Sequence, residues 1–217
     1  MPASTEKRAV QNTLSGIAAL YSDGLRTHGR SPKSLGWKDT AGQSLRFSKL
    51  RQVLLPQDAK AGIRVIDWGC GYGAMFGYLK RHGVRVLAYD GYDISRSMID
   101  EARQTIDDPR ATFIHSDRVK RAADYAFVSG TFNVRLRANR AVWTRHIERT
   151  LMALAAKCTK GLAFNLLTTH VDWKVPHLYY GDPSYFFTFC KRHIARNIVL
   201  LHDYPLYEWT LLIRKDA

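Results

Sequence analysis

Three acidic residues and a run of glycines are the residues best placed to do chemistry. The segment Val65-Ile66-Asp67-Trp68-Gly69-Cys70-Gly71-Tyr72-Gly73 joins a β-branched run to alternating glycines. Glycines at such a turn adopt positive φ and let a ligand come close to the backbone. A helix start beyond them offers free amides and a positive partial charge. The spacing is G-x-G-x-G, not the G-x-G-x-x-G of a pyrophosphate loop. Asp67 stands immediately before the glycines, where it would repel a phosphate and suit a cationic ligand with an amino group.

The second acid is Asp93, in Tyr89-Asp90-Gly91-Tyr92-Asp93-Ile94-Ser95. A carboxylate at the end of the second strand of an open α/β sheet can take both hydroxyls of a ribose. Asp90 competes for that role. Asp93 is favoured because Ile94, Met98, Ile99 and Ala102 begin a helical pattern after it, with Ser95 as the cap. The third acid is Asp117, in Phe113-Ile114-His115-Ser116-Asp117. An acceptor there suits an exocyclic amine.

These residues need elements to hold them. Helices are expected over 1–22, 43–55, 75–82, 95–105, 140–157 and 184–193, the second ending at Pro56. Strands are expected over 64–67, 85–93, 111–115, 125–129, 162–167, 197–202 and 209–214. Residues 23–42, rich in Gly, Pro, Ser and charge, read as a long loop. Strands alternating with helices imply a mostly parallel, doubly wound sheet. The last two strands share a short turn at Pro205 and so are antiparallel.

The combination Asp67-x-Gly69-x-Gly71-x-Gly73, Gly91-x-Asp93-x-Ser95-x-x-Met98, Ser116-Asp117 and Ser129-Gly130-Thr131-Phe132 resembles the class I S-adenosylmethionine-dependent methyltransferases, of the small-molecule type, over roughly residues 45–217. The resemblance implies a Rossmann-like α/β fold, a seven-stranded sheet with its last strand antiparallel. It implies S-adenosyl-L-methionine as cofactor. Gly69, Cys70, Gly71 and Gly73 would pack on its methionine part, and Asp67 would orient its amino group. Asp93 would hold the ribose hydroxyls, and Ile94 and Met98 after it count among the cofactor-binding residues. Ser116 and Asp117 would meet the adenine, and Ser129, Gly130 and Phe132 would line the floor near the methyl group. Residues 1–42 would fold as a helical cap over a catalytic domain of 43–217. Arg46 is the candidate partner for the methionine carboxylate, with Tyr21 second.

The sequence departs from relatives with other acceptors. No Asn/Asp-Pro-Pro-Tyr/Phe follows the fourth strand, no Pro-Cys dipeptide occurs, and no acid cluster suggests a bound metal. Trp68 replaces the smaller aliphatic expected behind the loop. The acceptor side is expected in the loop after the fifth strand, where His170 is the candidate general base and Asp172, Tyr179 and Tyr180 stand close by.

Composition bounds the alternatives. The chain has 217 residues, 46% of them hydrophobic, which suits one domain and excludes wholesale disorder. Three scattered cysteines do not make a disulfide framework, and no zinc motif is present. No apolar run is long enough to span a membrane, and no secretory signal opens the chain, so the cytoplasm is the expected compartment. The formal charge of +14 is uneven: +6 over residues 1–60, +1 over 61–125 and +7 over 126–217. Transfer to an oxygen or nitrogen of a small metabolite or sugar-containing acceptor is the favoured function. The basic ends keep RNA or another polyanion as an alternative acceptor. A non-catalytic cofactor- or nucleic-acid-binding module is the third reading.

Overall fold

The computed structural model describes residues 3–215; residues 1, 2, 216 and 217 lie outside it, as do those ends of the expected cap and catalytic domain. Eight strands form one sheet: β1 (Ile63–Trp68), β2 (Val86–Asp93), β3 (Ala111–His115), β4 (Ala123–Val128), β5 (Cys158–Thr168), β6 (Tyr180–Gly181), β7 (Asn197–Leu201) and β8 (Glu208–Arg214). The order is β3-β2-β1-β4-β5-β8-β7, with β6 beside the end of β5. The first five strands pair in parallel. β8 runs antiparallel to both β5 and β7, so the antiparallel last strand sits inside the sheet, not at its edge.

Among the described residues seven α-helices accompany the sheet: α1 (Ala3–His28), α2 (Thr40–Arg51), α3 (Pro56–Ala61), α4 (Ala74–Arg81), α5 (Arg96–Thr105), α6 (Arg140–Lys157) and α7 (Pro183–His193). One sheet face carries Trp143, Ile147, Leu151 and Leu154 of α6 and Phe186 and Cys190 of α7. The other carries Phe47 and Leu50 of α2, Met75, Phe76 and Leu79 of α4, and Ile99 and Ala102 of α5. Each fully buried Leu or Ile among them contributes about 1.5–3 kcal/mol. Helix starts follow from local polar groups. Asn139 Oδ1 accepts from Ala141 N at 2.9 Å, Ser95 Oγ from Met98 N at 3.4 Å, and Asp182 Oδ1 from Ser184 N at 2.8 Å.

The amino-terminal region is more ordered than its composition suggests. α1 continues six residues past the expected end, and a 3-10 turn follows at Pro32–Leu35. The Asp23-Gly24 pair reads as a turn signal, yet Gly24 is helical. A Cβ there would lie 2.5 Å from Ser34 O, so the glycine lets the 3-10 turn pack against the helix. Pro56 does not stop α2, which ends at Arg51; it occupies the first turn of α3.

Ile17 of α1 joins the α6–α7 core, with Leu14 and Tyr21 packed beside it. Ser22 Oγ meets Ser95 Oγ at 3.2 Å and Ser97 Oγ at 2.9 Å, tying α1 to α5. Glu6 ties it to α6 through Arg145 at 3.0 Å and Arg149 at 3.3 Å. Among the described residues, no helix is long and apolar enough to cross a membrane.

Candidate cofactor and acceptor site

The carboxyl ends of β1, β2, β3 and β4 open into one pocket, and α1 and the 3-10 turn cover it. Thirteen of the residues singled out in the sequence line it: Tyr21, Asp67, Gly69, Cys70, Gly71, Asp93, Ile94, Met98, Ser116, Asp117, Ser129, Gly130 and Phe132.

The glycine loop is shaped by its backbone. Gly69, Gly71 and Gly73 have φ of 75°, 53° and 79°. A Cβ at Gly69 would lie 2.3 Å from Thr131 Oγ1, and that hydroxyl donates to Trp68 O at 2.9 Å. The loop is pinned to β2 as well, because Gly69 N and Cys70 N donate to Tyr92 O at 2.7 and 3.0 Å. Gly73 does not line the pocket. It caps α4, and a side chain there would meet Ile106 Cδ1 at 2.6 Å.

Asp93 is held by backbone amides. Its Oδ2 accepts from Gly71 N at 2.9 Å and its Oδ1 from Ser95 N at 2.8 Å. Burial raises its pKa while these bonds pull it back down. Asp90, its rival, turns away and pairs with Arg121 at 2.9 Å. Asp67 is 2% exposed and accepts from the Tyr89 hydroxyl. Burial pushes its pKa up to about 7, against the Tyr89 bond and with a further push from Asp93. Tyr21 is raised to about 12 by burial and the Asp93 charge.

Besides Gly73, two more expected site residues, Arg46 and His170, are elsewhere. Arg46 does not line the pocket. Its Nε and Nη2 bind Glu208 at 3.0 and 2.7 Å, and its guanidinium lies over the Trp37 ring at 4.9 Å. That bidentate pair spends the fork expected to meet a ligand carboxylate. His170 is exposed beyond the end of β5, its ring 5.8 Å from that of His202, and it does not line the pocket either. β5 ends at Thr168, and among the described residues none after it lines the pocket. Asp172 is engaged by the Tyr207 hydroxyl at 2.5 Å, and Tyr179 by Thr144 at 2.7 Å.

The sequence reading missed His146, which lines the pocket from α6. Its ring packs 4.8 Å from Trp143 and 6.5 Å from Phe132. Burial, then the Arg149 charge, lowers its pKa to about 4, against a smaller upward pull from Asp117. The imidazole is therefore neutral at neutral pH and can accept a proton or hydrogen bond. Its only signal was the i, i+3 spacing from Trp143, which places both on one helix face. Leu35 was missed for a similar reason: it reaches the pocket through the cover, as do Trp37 and Gln43, aromatic and polar residues of the amino-terminal segment.

The donor set fits the expected cofactor. Among the described residues Asp67, Asp93 and Asp117 line the cavity and no Lys or Arg does, although the whole chain carries +14. Such a pocket favours a ligand with ammonium and sulfonium charges over a polyphosphate. Gly69 and Gly71 line the pocket with bare backbone in a loop too close to Thr131 and Leu35 to take side chains freely. Ser129 Oγ is buried at the floor without a partner among the described residues, as a group awaiting a ligand would be. Among the described residues, no group of three or more His, Cys, Asp or Glu gathers as a metal site.

Known proteins agree with this geometry. A methyltransferase domain model matches residues 65–161. A protein of Mycobacterium tuberculosis (strain ATCC 25618 / H37Rv), named "Putative methyltransferase Rv1506c", is 43% identical over 154 residues, covering 70% of this chain and 92% of that protein. The DhpI-SAH complex superposes with a TM-score of 0.65 at 15% identity, over 95% of this chain and 96% of that one. Magnesium protoporphyrin IX methyltransferase (ChlM) from Synechocystis PCC 6803 with bound SAH gives 0.63 at 15% identity, over 81% and 84%. At that identity the two structures speak for the fold, and the mycobacterial relative carries the kinship. With the glycine cradle, the acid-lined pocket and this relative in agreement, the chain belongs to the class I S-adenosylmethionine-dependent methyltransferases.

Proposed function

We propose that this methyltransferase acts on an oxygen or nitrogen of a small metabolite or sugar-containing acceptor. The observation that carries the reading is the cover: Leu14, Ile17 and Tyr21 of α1, with Leu35 and Trp37, close over the pocket. The bases that give the chain its charge lie outside that lining. A covered, largely apolar cavity with a few polar groups suits a small ligand. On this reading residues 1–42 are the cap and 43–217 the catalytic domain.

The cofactor supplies a methyl group on a sulfonium, ready for in-line displacement. Asp93 would hold the ribose, Asp117 the adenine, and Asp67 the amino group, while Phe132 and Trp37 exclude water. His146 replaces His170 as the group best placed to take an acceptor proton. Its lowered basicity makes it a weak base, so orientation carries much of the rate. Positioning alone supplies about 7–11 kcal/mol in well-oriented reactions.

The test is a screen with isotopically labelled cofactor and mass spectrometry of a metabolite extract and of total RNA. Label in a small molecule supports the proposal. Label confined to RNA, with binding that collapses as salt rises, would replace it with the polyanion reading that the +14 charge favours.

A further inference from the structure

A ring of side chains from four distant segments closes beside the pocket. Asn165 of β5 is fully buried, and its Oδ1 accepts from Gly130 N at 2.7 Å. Its Nδ2 donates to Glu208 Oε2 at 2.8 Å. Glu208 of β8, 2% exposed, takes the Nε and Nη2 of Arg46 from α2. Arg46 lies over Trp37, and Trp37 returns to the start: a Cβ added at Gly130 would be 3.1 Å from its Cζ2. Gly130 and Trp37 line the pocket, whereas Asn165, Glu208 and Arg46 do not.

Stability alone does not account for the ring. A buried Arg–Glu pair is costly to desolvate, and apolar residues of similar volume often serve folding as well. What an apolar pair cannot supply is a fixed relation between the floor loop after β4 and an aromatic wall brought in from the cover. Every Glu208 oxygen is engaged, and Asn165 uses both ends of its amide, so the orientation of each member follows from its neighbours.

We propose that Asn165, Glu208 and Arg46 are positioning residues that clamp Trp37 against Gly130 and so set the width of the pocket over its floor. The clamp acts on ligand only through Trp37 and the floor loop. This rests on reading the pocket as the cofactor site.

Calorimetric titration of the full chain with S-adenosylhomocysteine tests it without an acceptor. Arg46→Lys keeps the charge but loses the planar fork and stack. Arg46→Lys and Glu208→Gln should each weaken binding about tenfold, and Trp37→Leu by a similar factor. In the Trp37→Leu background neither should weaken it further, because contacting residues that act as a unit are not additive. If Arg46 instead meets the ligand carboxylate directly, Glu208→Gln frees it and binding tightens, which overturns the clamp. Additive losses overturn it too. Arg46→Lys is the milder change, so the cycle stands even if Glu208→Gln does not fold. Asp93→Ala separates the two levels. If Asp93→Ala binds normally, the site reading fails; if it does not bind and the cycle is additive, the clamp alone fails.

Discussion

The pH at which the cofactor binds should be governed by Asp67. Its carboxyl is buried at the head of the glycine loop and titrates at about 7 in the unliganded fold, mainly because burial disfavours the charged form. A ligand ammonium needs the carboxylate. If only the ionised form binds well, affinity follows the ionised fraction: roughly half at pH 7, about 90% at pH 8 and about 3% at pH 5.5. The dissociation constant should therefore rise about 30-fold between pH 8 and pH 5.5, and binding at pH 7 should release roughly half a proton. Calorimetry in buffers of different ionisation enthalpy reads both quantities. Asp67→Asn should flatten the profile. Tyr89→Phe should move the midpoint upward, because the Tyr89 hydroxyl is the contact that holds the value down. The sign for the unliganded protein is opposite. A raised carboxyl pKa contributes stability below the unfolded value of 3.8 and loses it as pH rises through about 7, so the wild type should lose melting temperature over that window relative to Asp67→Asn. A flat profile in the wild type, or the same slope in Asp67→Asn, would refute the assignment.

Other outcomes follow from the same geometry. Gly69→Ala should cost more melting temperature than Gly71→Ala. The first drives a Cβ to 2.3 Å from Thr131 Oγ1, and the second meets only Leu35 Cδ2 at 3.1 Å; both add the strain of a left-handed residue, roughly 1–2 kcal/mol. Scanning fluorimetry distinguishes them, and equal shifts would contradict the packing described. His170→Ala should change turnover less than about threefold, whereas His146→Ala should lower it by roughly 10²–10⁴-fold if it takes the proton, with cofactor affinity retained in both. Tryptic cleavage at Arg30, which lies between α1 and the 3-10 turn, should slow when cofactor is added. Equal rates would mean that the cover is static.

Much of this architecture was legible because local signals agreed with the tertiary result. β3 and α6 have the expected bounds, and Ser95 caps α5 as its position before Met98 implied. The acids at the strand ends were legible because their positions follow from the parallel sheet. What stayed hidden depended on distant partners. Arg46 looks like a free cation until Glu208, 162 residues away, is folded against it. His146 looks like any residue of an amphipathic helix until Phe132 and α1 enclose it. Gly24 carries a turn composition, but its role is set by Ser34 across a close helix contact. β6 has two residues and no periodicity to read.

The central placement of β8 has a consequence for synthesis. A chain emerging from its amino end can form β1 to β5, the glycine cradle and Asp93 early, yet the edge of β5 then stays open until β8 arrives to pair with it. Glu208 comes with that strand, and before then Arg46 lacks its carboxylate partner and Asn165 Nδ2 its acceptor. Contacts of such long sequence separation close slowly. During that interval β5 is an unpaired apolar edge, the kind of surface that invites misassembly. The clamp proposed for Trp37 and the protection of the sheet would thus be completed by the same docking event, and a ligand that prefers the clamped pocket would draw the nascent chain toward its native state.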